Sequence, residues 1–191
     1  PTIVVPGAWS AADLRFQAEH LATQRLHNNG YNCVASQVAV ISADWPQKDE
    51  FLRELRDAFD RAPSRRDYYP GSADRVAAAR AGYGERAQAV GPDGARTLVF
   101  GLRADRTEEA LHTEYFAPVL GVVTLPGTGQ EFLDAAVRHA NEHLTGTLGA
   151  NVLIDPVTQA ALGDVAVVDE LCDEVGDGHA RQAGLARQVR A

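Results

Sequence analysis

The sequence contains no methionine, only two cysteines among 191 residues, and no apolar run long enough to cross a bilayer. Each shortage excludes something. Without methionine, two expectations stand for the start of the chain: an initiator trimmed from before Pro1, or coding sequence lying upstream of it. Two thiols, Cys33 and Cys172, cannot staple a small secreted scaffold and are expected to be free in a reducing compartment. The longest clean apolar stretch, Val119 to Leu125, falls far short of the roughly 20 residues of a spanning helix, and no basic-then-apolar leader opens the chain. The cytoplasm is therefore the expected compartment. Positive charge is also short. Lys and Arg number 18 against 26 Asp and Glu, for a net charge of -8 and a pI near 5.2, which argues against nucleic-acid and anionic-membrane partners.

What is present suits one folded domain. The chain is 45% hydrophobic and 23% charged, near the average for globular domains, and long enough for a full-sized core. Thr2 to Val5 is a short β-rich run closed by Pro6 and Gly7. Ser10 and Asp13 stand at capping-box spacing ahead of an apolar stripe of Leu14, Ala18, Leu21, Ala22 and Leu26, so a helix starts near Ser10 and stops at Asn28-Asn29-Gly30. Val34 to Ile41 reads as a buried strand, followed by a helix carrying Phe51, Leu52, Leu55, Ala58 and Phe59 on one face. An Arg- and Tyr-rich loop from Pro63 to Pro70 leads to an Ala-rich helix over about Ser72 to Ala81 and a glycine-punctuated stretch through Gly94. Thr97 to Leu102, Val119 to Leu125 and Thr147 to Ile154 read as strands. A helix capped by Thr128 separates the last two, and Asp155-Pro156 opens a final short helix. Continuous apolar strands alternating with amphipathic helices indicate an α/β domain, an open and mostly parallel twisted sheet flanked by helices, over residues 1–163. Residues 164–191 change texture to an acid-rich and then Arg-dotted tail, expected to be peripheral.

Several groups offer chemistry. Cys33 follows a glycine turn that leaves room for close substrate approach, where a thiolate can act as a nucleophile, although a free cysteine is more often a buried small hydrophobe. Cys172, among Glu170, Asp173 and Glu174, reads as inert. His139, Glu142 and His143 match an H-x-x-E-H pattern of zinc peptidases, but the pattern lacks a third ligand, and no metal is expected. Gly127 and Gly129 imitate a dinucleotide fingerprint whose third small position is occupied by Phe132, so they read as a plain turn. Arg65, Arg66, Tyr68 and Tyr69 are more simply a solvated loop than a phosphate site in an acidic protein.

The run His27-Asn28-Asn29-Gly30-Tyr31-Asn32-Cys33-Val34-Ala35 resembles the nucleophile segment N-x-G-Q-x-C-x-A of the aldehyde dehydrogenase superfamily. Glu114-Tyr115-Phe116-Ala117-Pro118-Val119 resembles that family's E-x-F-G-P-V motif, in the correct order, and Ala140-Asn141 with Gly146 to Ala150 resembles its A-N-x-x-x-x-G-L-x-A stretch. The resemblance spans about residues 1 to 156. It implies a catalytic domain of the aldehyde dehydrogenase type that oxidises a small-molecule aldehyde to a carboxylate with NAD or NADP, through a thiohemiacetal and a thioester on Cys33. It implies that Glu114 hydrogen-bonds the nicotinamide ribose and that Phe116 packs beside the nicotinamide. Tyr31 stands where the motif has Gln, and Ala117 where it has Gly. The family's E-L-G-G-K segment with its general base, and the domain that binds most of the cofactor, are not in the sequence. The isolated chain is therefore expected to be inactive, with a family-like homo-oligomer only for a full-length chain. The alternatives are a coenzyme A-acylating or acyl-phosphate-reducing relative, or a catalytically silent interaction domain.

Overall fold

The computed structural model describes residues 1–105, 107–146, 148–162 and 186–187. Its centre is a sheet in the order β3-β4-β5-β2-β1-β6-β7, formed by β1 (Thr2–Val4), β2 (Val38–Ser42), β3 (Ala87–Val90), β4 (Arg96–Leu102), β5 (Val119–Leu125), β6 (Asn151–Leu153) and the two-residue β7 (Ala186–Arg187). Every pairing is parallel except β3 with β4. Strands β1 and β2 are buried along their whole length, which is why they read as continuous apolar runs rather than alternating ones.

Successive residues of these strands feed opposite cores. Val4, Ala39, Ile41, Leu120 and Val122 face one side with Leu14, Leu21, Phe51, Leu55 and Phe59, from helices α1 (Ala11–Leu26) and α2 (Lys48–Arg61). Ile3, Val5, Val38, Val40, Val119 and Val123 face the other with Val76, Tyr83, Phe132 and Leu133, from α3 (Ser72–Tyr83) and α4 (Gly129–His143). A short α5 (Pro156–Leu162) follows β6, its first turn capped by the Asp155 carboxylate, which accepts from Val157 and Thr158 N–H.

The expected open, mostly parallel α/β sheet is what forms. Ser10 caps α1 by accepting from Asp13 N–H, as its spacing indicated, and α1 gives way at His27 to a 3-10 turn over His27–Gly30. Three boundaries differ from the sequence reading. Strand β2 starts at Val38 and not at Val34, whose side chain is 69% exposed, because residues 31–37 are held as a loop by side-chain bonds that hydropathy does not register. The glycine-punctuated stretch contains β3, which folds back antiparallel on β4 across a turn closed by Gly94 N–H to Gly91 C=O. The last strand covers only Asn151–Leu153 of the expected Thr147 to Ile154. Thr147, the 164–191 tail apart from β7, and Cys172 lie outside the described residues. Among the described residues no helix is long and apolar enough to cross a membrane.

Candidate functional site

A cleft of about 690 Å³ opens at the amino ends of the parallel strands, with Cys33 in its wall. Cys33 to Gln37 lead into β2, Glu114 lies ahead of β5, and Ala150 precedes β6. Open α/β sheets more commonly bind ligands beyond the carboxyl ends of their strands. Here those ends are tied by short bonds. Ser42 Oγ donates to Gly127 C=O at 2.6 Å, Asp44 accepts from Gly127 N–H at 2.7 Å, and Trp45 Nε1 donates to Gly7 C=O at 2.9 Å. Gly127 is the plain turn its spacing suggested.

Cys33 is exposed, on a loop shaped by three consecutive left-handed residues: Asn28 (φ 53°), Asn29 (φ 55°) and Gly30 (φ 82°). Asparagine tolerates this region and glycine prefers it. At Gly30 no other side chain fits, since a Cβ would lie 2.6 Å from Arg25 Nη2 and 2.7 Å from Ala117 O. Arg25 is the anchor beneath the loop. It is 1% exposed and donates from Nη1 to Ser36 C=O (3.1 Å) and from Nη2 to Gly30 C=O (3.2 Å) and Ala117 C=O. Burial lowers its pKa to about 10, opposed by the charge of Glu114, so the guanidinium remains charged at neutral pH. The sequence carried one signal for this: Arg25 falls on the buried stripe of α1, four residues after Leu21 and three after Ala22.

Glu114 shares the cleft with Cys33, so the structure brings together two of the three residues singled out in the sequence. Gln37, four residues after Cys33, ties the Glu114 segment to the start of β2. Its Nε2 donates to Thr113 C=O at 3.0 Å, its Oε1 accepts from Tyr115 N–H at 2.9 Å, and its carbonyl accepts from Gly121 N–H at 2.9 Å. The side-chain amide thus grips both neighbours of Glu114, as one more rung of the β2–β5 ladder. Nothing in the sequence pattern marked Gln37 for this. The Glu114 carboxylate is exposed in the cleft and makes no hydrogen bond to another described side chain.

Phe116 lies outside the cleft walls, in an aromatic cluster beside it. Its ring centroid is 4.7 Å from Tyr69 and 6.1 Å from Tyr31, its φ is 44°, and Arg75 Nη2 donates to its carbonyl at 3.0 Å. A positive φ at phenylalanine is a strained conformation that surrounding contacts must hold. Three histidines also line the cleft. His27 Nδ1 pairs with Asn32 Nδ2 at 2.7 Å, His20 Nε2 with Gln24 Nε2 at 3.2 Å, and His112 Nδ1 with Thr145 Oγ1 at 3.1 Å. The amide NH2 groups donate, so those nitrogens of His27 and His20 accept.

The H-x-x-E-H segment sits elsewhere, with both histidines on α4. His139 is buried and stacks on His143 at 5.2 Å between centroids. Burial, with the nearby His143, lowers the His139 pKa to about 4. Among the described residues no group of three or more His, Cys, Asp or Glu is placed to hold a metal ion.

The sequence matches no protein-family model and no curated protein. Its likenesses are to solved structures. A γ-glutamyl-γ-aminobutyraldehyde dehydrogenase from Burkholderia cenocepacia J2315 superposes with a TM-score of 0.68 at 24% identity, over 99% of this chain and 36% of that one. An indole-3-acetaldehyde dehydrogenase from P. syringae in complex with NAD+ gives 0.65 at 19% identity, over 99% of this chain and 37% of that one. A lactaldehyde dehydrogenase from Escherichia coli gives 0.63 at 20% identity, over 90% of this chain and 36% of that one. At these identities the likeness is one of fold, and the chain spans little more than a third of each relative's length. The chain has the fold of a segment of an aldehyde dehydrogenase.

Proposed function

We propose that this chain is the catalytic segment of an NAD(P)-dependent aldehyde dehydrogenase, with Cys33 as its nucleophile. The observation that carries this reading is the meeting of Cys33 and Glu114 in one cleft, from segments some 80 positions apart in sequence that separately resemble that family's two motifs. In the proposed reaction the Cys33 thiolate bonds to the aldehyde carbon, and the carbonyl oxygen takes up the negative charge as an oxyanion. NAD(P)+, when bound, supplies the acceptor for the hydride that leaves this carbon. The carbon is then a thioester on Cys33. Water adds to it, the C–S bond breaks, and carboxylate, thiolate and two protons are released.

The residues present fit part of the cofactor. An exposed carboxylate with no hydrogen bond to a described side chain is suited to accept from a ribose diol, and Glu114 offers one in the cleft. Phe116 would border the nicotinamide from the adjoining aromatic cluster. Groups for the cofactor's phosphates and the base that activates water are assigned to the parts of the longer relatives that this chain does not span. The isolated chain should then accept an acyl group on Cys33 without turning over aldehyde.

The test combines p-nitrophenyl acetate with an aldehyde panel. Intact mass should show one acetyl group on Cys33, absent from Cys33→Ala, and no NAD(P)H should accumulate from aldehydes with NAD+ or NADP+. Sustained NAD(P)H formation lost in Cys33→Ala would overturn the fragment reading. Acetylation that persists in Cys33→Ala would overturn the assignment of the nucleophile.

A further inference from the structure

Two residues before Cys33, Tyr31 joins four parts of the molecule. Its side chain is 5% exposed. Its hydroxyl donates to Asp67 Oδ1 at 2.8 Å, is hydrogen-bonded to Ser72 Oγ at 2.8 Å, and receives Asn29 Nδ2 at 3.2 Å. Asn29 Nδ2 also donates to Asp67 Oδ1 at 2.5 Å, and Tyr68 Oη donates to Asn28 Oδ1 at 2.9 Å. The Tyr31 ring stacks on Tyr69 (5.5 Å, 30°), meets Tyr68 edge-on (4.9 Å, 83°) and lies 6.1 Å from Phe116. The Arg- and Tyr-rich segment 63–70, which had no role in the sequence reading beyond a solvated loop, therefore braces the left-handed turn that carries Cys33.

We infer that Tyr31 is a positioning residue for Cys33, a pin whose hydroxyl fixes the nucleophile loop to Asp67 and Ser72. This rests on the reading of Cys33 as nucleophile. Arg25 secures the loop at Gly30 and Ser36 from below, Asn32 bonds within the loop to His27 and Asn28, and Tyr31 adds the side-chain tie from the loop to Asp67 and Ser72. Acyl transfer depends on that constraint. When the Cys33 thiolate attacks an activated ester, the C–S bond forms, charge moves to the carbonyl oxygen, and the C–O bond breaks to release p-nitrophenolate. The oxyanion is stabilised only by N–H groups held in place beforehand. Alkylation by iodoacetamide displaces iodide at a saturated carbon and makes no oxyanion, so it reports the thiolate alone.

The ratio of the two rates separates positioning from mere stability. With p-nitrophenyl acetate and iodoacetamide as probes, Tyr31→Phe should lower Cys33 acylation about fivefold or more while alkylation stays within about twofold. Asp67→Ala should do the same, and the double variant should be slowed by less than the product of the two single effects, since the Tyr31–Asp67 bond is lost in both. Asp67→Asn should recover at least half the acylation rate, because the amide oxygen still accepts from Tyr31. Unchanged acylation in Tyr31→Phe and Asp67→Ala would overturn the inference, as would acylation and alkylation falling together with the melting temperature. Should Tyr31→Phe fail to fold, the Asp67 pair decides the matter alone. Wild-type Cys33 acylating no faster than free glutathione would instead overturn the reading of the nucleophile, and the inference with it.

Discussion

Arg25 and Ala117 are 92 positions apart, and the guanidinium of the first donates directly to the carbonyl of the second. The contact joins the helix that ends beneath the Cys33 loop to the segment that carries Glu114 and Phe116. Because Arg25 also holds Gly30 and Ser36, one buried cation serves three carbonyls from two distant stretches of chain. A buried charge is expensive unless its hydrogen bonds are made.

Arg25→Met should therefore lower stability to urea by about 3 kcal/mol, since it leaves buried carbonyls without donors. Arg25→Lys should recover only part of that, because an ammonium lacks the planar fork that reaches several acceptors at once. Unfolding midpoints for the three proteins check this, and a methionine variant as stable as wild type would contradict it.

Gly30→Ala should be destabilising by about 2 kcal/mol or more, as the new methyl meets Arg25 and Ala117 at a left-handed position. The same change at Gly146, where a Cβ meets nothing within 4 Å and no left-handed φ is required, should be close to neutral. Comparing the two by thermal melting tests the crowding directly.

His139 should make the fold sensitive to mild acid. Its pKa falls from an ordinary value of 6.5 to about 4 in the folded state, so between those values the unfolded chain binds more protons. Stability is full above pH 6.5 and is lost as pH falls towards 4, by up to about 3 kcal/mol at the lower end. The difference between wild type and His139→Gln in urea midpoint, measured from pH 7.5 to 4.5, should shrink or reverse over that window. A constant difference would show that the imidazole has the same pKa in the folded and unfolded states.

Glu108 is buried between two arginines, with Arg86 Nη1 2.8 Å from one carboxylate oxygen and the Arg103 N–H bonded to the same oxygen at 3.1 Å. Burial raises its pKa, but the bonds to Arg86 and Arg103 outweigh burial and leave it below the ordinary 4.5. A depressed carboxylate stabilises above its unfolded pKa, so Glu108→Gln should cost about 1 to 2 kcal/mol at pH 7. That cost should fade as pH falls below the ordinary 4.5 and through the lowered folded value, and urea titrations at pH 7 and in acid will show it.

The fold was legible where local chemistry and hydropathy agreed. Ser10 capped α1 as its spacing indicated, and Leu14, Ala18, Leu21 and Ala22 formed the buried stripe, because a 3.6-residue period reports burial directly. The start of β2 was misplaced because Val34 is apolar yet exposed, held out of the sheet by bonds that Tyr31 and Arg25 make to residues far along the chain. Strand β3 is hard to read from Ala87–Val90 because it is four residues long and half alanine, which has weak strand preference, and only the glycines at 91 and 94 mark the turn to its partner β4. Within the site, Cys33 and Glu114 were readable as motif residues. Arg25, Gln37 and Tyr31 were not assigned roles, since each acts through a tertiary hydrogen bond with no counterpart in sequence spacing.

Gln37 has a consequence for how such a cleft can diverge. Gln37 ties the stretch that carries Glu114 to the start of β2 through amide hydrogen bonds, whereas Leu111, Leu144 and Leu148 line the cleft without taking part in those bonds. Changes among those leucines can alter the bulk of the cleft while the backbone on either side of Glu114 keeps its tie to β2.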